Sequence, residues 1–450
     1  MTNTPKQTLS ETLQQALELA KSFGADAADA VIVEGTSTSV SVRMGKLENL
    51  ERSEGADLGL RVFCGKQQAM VSSSDLSYDA IKQLAERAVD MAKIAPEDPY
   101  CGLESRAAIN ESHFADLDLF DNETPTAEDL EDAAMRAEDV ARAVDGVINS
   151  DGAGASHSSG GIAIATSAGF SGSYKSGSHS LSCSVVAGSN DDMERDYEYT
   201  SAHHLSDLMS AEDVGRIAAE RATKRVNARK VETCRVPIVF APRVANTLLG
   251  HLSGAINGAA IARGTSFLKD KMNESIFPSS INIVDDPTRL RGLRSKPFDG
   301  EGVVGKPLKL VEGGILKEWL LASASARQLG LESNGRASRG TSSPPSPSAT
   351  NLYMEAGSIT PDDLIGDIEN GLYITELIGM GVNGVTGDYS RGAAGFWIEK
   401  GQIAYPVSEL TVAGNLVEMF TMMTPASDLE FRYGTDAPTV RIDEMMVAGS

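Results

Sequence analysis

Six histidines are the side chains in this chain best suited to metal or acid–base chemistry: His113, His157, His179, His203, His204 and His251. A zinc peptidase usually sets two histidines on one helical face with a glutamate between them, so that the carboxylate activates metal-bound water. No HExxH occurs. His203 and His204 are adjacent, and neighbouring residues point in different directions on a helix or a strand. They read as surface or cap residues. His251 follows Gly250 near the end of an expected helix and reads as a hydrogen-bonded structural histidine.

Other chemistry-bearing patterns are weaker. Gly379-Met380-Gly381-Val382-Asn383-Gly384 is a literal GxGxxG. A dinucleotide site needs a helix opening at the third glycine, so that amide donors face the pyrophosphate. The following VTGDYSRGAAG is too rich in glycine and β-branched residues to start one, and the run reads as a glycine-rich turn. No GxSxG is present, and Gly172-Ser173 and Gly177-Ser178 sit in flexible Gly/Ser sequence. A Ser-His-Asp site stays open, because triads assemble from distant positions.

The elements that must position these residues are α+β. Thr8 and Glu11 have capping-box spacing, and Leu9, Leu13, Ala16, Leu17 and Ala20 line one helical face up to Gly24. Strand-like runs follow at 31–33, 37–43, 59–63 and 69–72, then a helix over 77–92. Residues 95–125 read as a linker around APEDP and Pro125. An acidic helix spans 127–144. The Gly/Ser-rich 147–189 predicts a meander with tight turns, and a helix over 211–228 closes this half. A strand at 236–240 and a helix over 242–256 open a mostly β remainder. Within it, 335–350 carries three prolines and is expected to lack regular structure. The expected units are an N-terminal α+β unit (1–110), a central Gly/Ser-rich helix and β-meander unit (120–230) and a β-rich C-terminal domain (231–450).

With 450 residues, 41% of them hydrophobic, the chain can bury a large core without staples. Its net charge of −23 repels phosphate backbones, so no general nucleic-acid binding is expected. The densest basic cluster, Lys224, Arg225, Arg229 and Lys230, reads as a solvated helix end where cations suit the dipole. Cys64, Cys101, Cys183 and Cys234 form no CxxC pair and read as reduced, mostly buried thiols. The start, MTNTPKQTLSETLQQ, has no apolar signal core, and no run approaches the roughly 18 apolar residues of a membrane span. These features predict a cytoplasmic protein with no membrane contact.

Three stretches resemble the TldD/PmbA metallopeptidase family: 25–63, with its "GLRVF" strand, 241–268, and GVNGVTGDYSRGAAGFWIEKGQIAYPVSELTVAGNL at 381–416. The resemblance covers nearly the whole chain. In TldD-type members the helix matching 242–256 carries HExxxH, two zinc ligands and a catalytic glutamate, and a cysteine near the C-terminus is a further ligand. Here the matching six residues are Asn246-Thr247-Leu248-Leu249-Gly250-His251, and no cysteine follows Cys234. Asparagine is a poor zinc ligand, threonine is no base near neutral pH, and one imidazole cannot hold a tetrahedral ion. This departure, with the Pro/Ser-rich 341–350, is similar to the PmbA (TldE) branch.

The resemblance implies a non-catalytic subunit with no cofactor or metal of its own, and zinc in a TldD-type partner. It implies a dimer, with that partner or with itself, enclosing a cavity where unfolded or leader-bearing peptides enter as extended strands. Gly387, Asp388, Tyr389, Ser390, Gly395, Phe396 and Trp397 are then expected to line or shape the cavity. The competing expectation is a stand-alone, chaperone-like peptide-binding protein.

Overall fold

The computed structural model describes residues 8–107, 114–189 and 192–449, so His113 and the first seven residues lie outside it. The chain opens on helix α1 (Leu9–Ser22). The Thr8 hydroxyl accepts the Glu11 amide, and the Glu11 carboxylate accepts the Thr8 amide at 2.8 Å, the expected capping box. Three antiparallel strands follow, β1 (Ala27–Arg43), β2 (Lys46–Cys64) and β3 (Gln67–Ser73), and then α2 (Tyr78–Ile94). After α3 (Ala127–Arg142) come β4 (Val147–Thr166), β5 (Ser171–Ser189), β6 (Asp192–Ala202) and α4 (Ala211–Arg225).

These strands form one six-stranded sheet, ordered β3-β2-β1-β4-β5-β6. Its strands are far longer than the expected fragments. Residues 31–33 and 37–43 belong to one strand, and the expected meander at 147–189 is mainly one long hairpin. The physical reason is local. Residues 46–55 of β2 are exposed throughout, so burial imprints no alternation on them. Over 158–160, β4 pairs serine and glycine with serine and glycine of β5, which carries little hydrophobic signal.

Two helix pairs cover one face of this sheet. Ala28, Ala30 and Ile32 of β1 pack with α1 and α2, while Val40 and Val42 pack with α3 and α4. All five positions have the same parity in β1, whose register against β4 runs without a break. The opposite face meets the C-terminal domain through Val31, Ile164, Phe170 and Phe298. The stretch expected as a linker is partly built in: Leu117 and Leu119 are buried, and their carbonyls accept the Arg291 and Gly177 amides.

The C-terminal domain begins with β7 (Cys234–Phe240), α5 (Pro242–Ala255) and α6 (Gly258–Ala262). Then come β8 (Ile283–Asp286), β9 (Leu308–Glu312), β10 (Ile315–Leu316) and α7 (Ser323–Leu329). The Pro/Ser-rich stretch expected to be irregular holds two short paired strands, β11 (Ala337–Ser338) and β12 (Ser346–Pro347). Pro347 is itself one of the paired residues, and the Ser348 amide next to it donates to the Arg336 carbonyl at 2.8 Å. β13 (Asn351–Met354), α8 (Pro361–Ile365), β14 (Asn370–Ile378), β15 (Asp388–Glu399) and β16 (Gln402–Asn415) follow. The chain finishes through α9 (Leu416–Thr421), β17 (Met423–Pro425), β18 (Thr435–Asp436) and β19 (Val440–Ala448).

One sheet runs β16-β15-β14-β7-β19-β17, and β16 also pairs with β19, which closes five strands into a ring. A second sheet runs β10-β9-β8-β13-β18. Helix α5 belongs to the core between them. Val244, Ala245, Leu248, Leu249, Leu252 and Ala255 are buried with residues of both sheets. Each fully buried leucine there contributes roughly 1.5–3 kcal/mol.

Candidate functional site

Helix α5 starts directly after β7, with Pro242 in its first turn, where a missing N–H costs nothing. The core fixes its rotation. Burial of Leu248, Leu249 and Leu252 leaves Asn246, Thr247 and His251 half-buried on the flank. Thr247 Oγ1 donates to the Val244 carbonyl at 2.6 Å, so the hydroxyl is committed to its own helix.

His251 meets β15. Its ring stands edge-on to Tyr389, with centroids 5.9 Å apart at 80°. His251 Nε2 is buried and has no hydrogen-bond partner, unlike the satisfied histidine the sequence suggests. Burial, and then the nearby Arg391 guanidinium, holds its pKa below the ordinary value. Tyr389 is 1% exposed, and its hydroxyl is also without a partner, as is Arg391 Nε. Burial pushes the Tyr389 phenol up to about 12 against the opposing pull of Arg391.

These residues do not fit zinc. The site offers one imidazole, an amide, a spent hydroxyl and a guanidinium that repels a cation. Among the described residues, no group of three or more His, Cys, Asp and Glu side chains is arranged to hold a metal ion.

The remaining sequence candidates disperse around β15. Gly387 is buried just before it. Asp388 is exposed, and hydrogen bonds from Thr386 and Asn415 hold its carboxyl below the usual range. Ser390 is exposed. Gly395 is required by close approach, because a Cβ there would lie 2.0 Å from the Tyr373 carbonyl oxygen. Trp397 is buried in the core. Of the seven, Phe396 lines a cavity within this chain. The GxGxxG run forms a turn, with no helix opening at Gly384.

That cavity, about 350 Å³, lies where α4 and β6 meet the first turn of α5, β14, β15 and the segment before β18. Its ionic wall takes in one member of the basic cluster, Arg225, while Lys224, Arg229 and Lys230 are exposed as a solvated helix end would be. Arg225 is buried and pairs with Glu194 and Asp196, each at 3.2 Å, and with Glu376. Asp196 also accepts from Arg243 at 2.7 Å. Glu198 accepts from Arg221 at 2.8 Å and Arg432 at 3.2 Å. Arg229 lies over the Tyr405 ring and Lys230 pairs with Glu409. These partners come from segments far apart in sequence, and no local motif marks them.

The other histidines belong to the large sheet. His203 is buried, contrary to a surface role, with ring nitrogens against the Gly177 and Gly292 carbonyl oxygens. His204 Nε2 lies 3.0 Å from Asp118. His157 and His179 face each other across β4 and β5, with ring centroids 4.6 Å apart. Both are buried, and no ring nitrogen of either is hydrogen-bonded. Asp121 Oδ2 stands 3.3 Å from His179 Nε2. Cys64, Cys101, Cys183 and Cys234 are all free thiols.

Comparison with known proteins gives three matches along the chain. Residues 28–92 match the PmbA/TldA metallopeptidase domain 1, 120–226 its central domain and 233–449 its C-terminal domain. The chain is 39% identical over 443 residues to the Metalloprotease PmbA of Escherichia coli O157:H7, covering 98% of this chain and 96% of that one. It is 36% identical over 453 residues to a Metalloprotease PmbA homolog of Haemophilus influenzae, covering 99% and 97%. The fold matches the crystal structure of TldE from Thermococcus kodakarensis with a TM-score of 0.84 at 20% identity, covering 97% and 100% of the two chains. A Bacteroides thetaiotaomicron structure, described as a candidate modulator of DNA gyrase, matches with a TM-score of 0.88 at 24% identity, covering 98% of each.

Proposed function

Because this chain belongs to the PmbA/TldD metallopeptidase family, as a PmbA-type member, we propose that it is the non-catalytic subunit of a zinc peptidase. In this reading it helps hold unfolded or leader-bearing peptides in a dimer cavity. A TldD-type partner supplies the zinc and the water-activating carboxylate, and the pair works in the cytoplasm. No described helix is long and apolar enough to cross a membrane.

The observation that carries the reading is the set of neighbours around His251. Asn246 and Thr247 stand where a ligand and a base would be needed, and Tyr389 and Arg391 fill the space beside the remaining imidazole. An acid or thiolate there would support hydrolysis, whereas a cationic neighbour opposes metal capture. The peptide-handling half of the proposal draws on the family membership.

The test is reconstitution. The purified chain, a TldD-type chain and their mixture are each assayed on an unstructured peptide, with zinc measured in every sample. The expected result is cleavage by the mixture above either chain alone, with zinc tracking the partner. Stoichiometric zinc and peptidase activity in this chain by itself would refute the proposal. A mixture no faster than the partner alone would favour the chaperone-like alternative.

A further inference from the structure

The cavity behind Phe396 has a mixed lining. Its apolar part is Tyr373, Phe396, Tyr433, Ala241 and Ala437. Within that lining, Thr375 Oγ1 is buried without a hydrogen-bond partner. An unsatisfied buried hydroxyl costs about 1–3 kcal/mol, so a bound polar group that reached it would recover that loss.

The charges in the lining fall into two kinds. Arg221, Arg225, Arg243 and Arg432 are already paired with the buried Asp196 and Glu198 and their neighbours. Lys224 and Glu430 also line the cavity, and neither has an ion-pair partner among the described residues. Both are exposed, at the mouth. Asp428 and Asp436 add two carboxylates that have no ion-pair partner among the described residues: Asp428 is held by the Thr439 amide at 2.9 Å and hydroxyl at 2.7 Å, and Asp436 by the Arg432 and Tyr433 amides at 2.9 and 2.8 Å. The first turn of α5 also faces the space, with no side-chain cap on Ala241 and no acidic residue in that turn. Its amide dipoles favour a carboxylate there.

The geometry points to a binding site for a short zwitterionic peptide, two or three residues long, that carries an apolar or aromatic side chain. Its carboxylate meets Lys224 and the start of α5. Its ammonium meets Glu430 and Asp428, and its side chain enters between Tyr373, Phe396 and Tyr433. A volume of about 350 Å³ matches a ligand of that size. A longer chain has no free terminus at each end of the cavity and loses one of the two charge contacts. This assignment rests on the peptide-handling reading and narrows it: the site takes product-sized fragments rather than the intact substrate.

The experiment is calorimetric titration of the isolated full chain with Ala-Phe, N-acetyl-Ala-Phe and Ala-Phe-amide. Saturable binding of the free dipeptide is expected, weakened about tenfold or more by either cap. Lys224→Glu and Glu430→Lys should each weaken it similarly; both side chains are exposed, so the fold is retained. Phe396→Ala should weaken Ala-Phe more than Ala-Gly. Failure of Ala-Phe to bind, or equal binding of the capped forms, overturns the site. If that happens while the reconstituted pair still cleaves peptide, the site alone falls and the subunit reading stands.

Discussion

Arg339 Nη1 lies 2.7 Å from Asp29 Oδ1, joining the Pro/Ser-rich stretch of the C-terminal domain to β1 across 310 residues of chain. Arg61 pairs with the same carboxylate, and all three side chains are almost wholly buried. Burial alone would raise the Asp29 pKa, but Arg339 and Arg61 outweigh it and hold the carboxyl below the ordinary range. Replacing Arg339 with Met leaves a buried carboxylate with one cation fewer. A loss of about 3 kcal/mol is expected in urea unfolding. The depressed pKa gives the sign of the pH effect. Its contribution is complete above the unfolded value of about 3.9 and disappears as pH falls through the folded value. The wild-type advantage over Arg339→Met should therefore shrink below about pH 4. An advantage that is constant from pH 7 to 3 would contradict this account.

Gly59 of β2 makes the same junction steric. A Cβ at this position would lie 2.2 Å from the Thr341 carbonyl oxygen and 2.7 Å from its Cα. Backbone cannot move aside as a flexible side chain can. Gly59→Ala should cost about 1–3 kcal/mol and loosen the stretch it presses on. Limited proteolysis reads this directly, with earlier cutting expected within 340–346. An unchanged digestion pattern and unfolding midpoint would show that the contact yields.

His157 and His179 form the pH-sensitive spot of the large sheet. Burial first, and then His179, lowers the pKa of His157, with Asp121 opposing. Burial also lowers that of His179 against Asp121, with His204 and Glu123 facing it. A folded value below the unfolded one of about 6.5 means that the unfolded chain binds more protons in acid. Stability is therefore full above about pH 6.5 and falls progressively below it. Thermal unfolding between pH 8 and 5 should show the decline, and His179→Gln should flatten it. The same slope in both proteins would rule this pair out as the source.

His251→Leu should raise stability or leave it unchanged, within about 1 kcal/mol, because it removes a buried nitrogen that has no partner. In the reconstituted mixture, peptidase activity should persist. A collapse in activity with normal folding and assembly would give His251 a chemical role that its surroundings do not suggest.

The helices were legible because their signals are local. The Thr8/Glu11 capping box sits within one turn, and the apolar stripes of α1 and α2 repeat from turn to turn within one helix. Strand pieces such as 59–63 were visible where both neighbours are buried, and invisible along 46–55, where nothing is. The His251 region could be found through the order of residues along one helix. Its neighbours Tyr389 and Arg391 lie on β15, about 140 residues further along the chain, and nothing local ties them to the helix. The Arg225–Asp196–Arg243 wall was missed because it joins α4, β6 and α5. A basic residue at a helix end looks the same whether it faces water, as Lys224 does, or the buried Asp196, as Arg225 does.

The closed ring of β16, β15, β14, β7 and β19 restricts how any guest chain can be gripped. β16 meets β19 only through Thr411, Val412 and Ala413, so the closure uses up strand edges at that end of the ring alone. On the large sheet, the outer carbonyls of Tyr197 and Tyr199 in β6 are stoppered by Arg221 and Arg432. At the proposed fragment site a peptide would be held by its ends and its side group rather than by its amide ladder. Discrimination there becomes a matter of length and terminus rather than of extended shape.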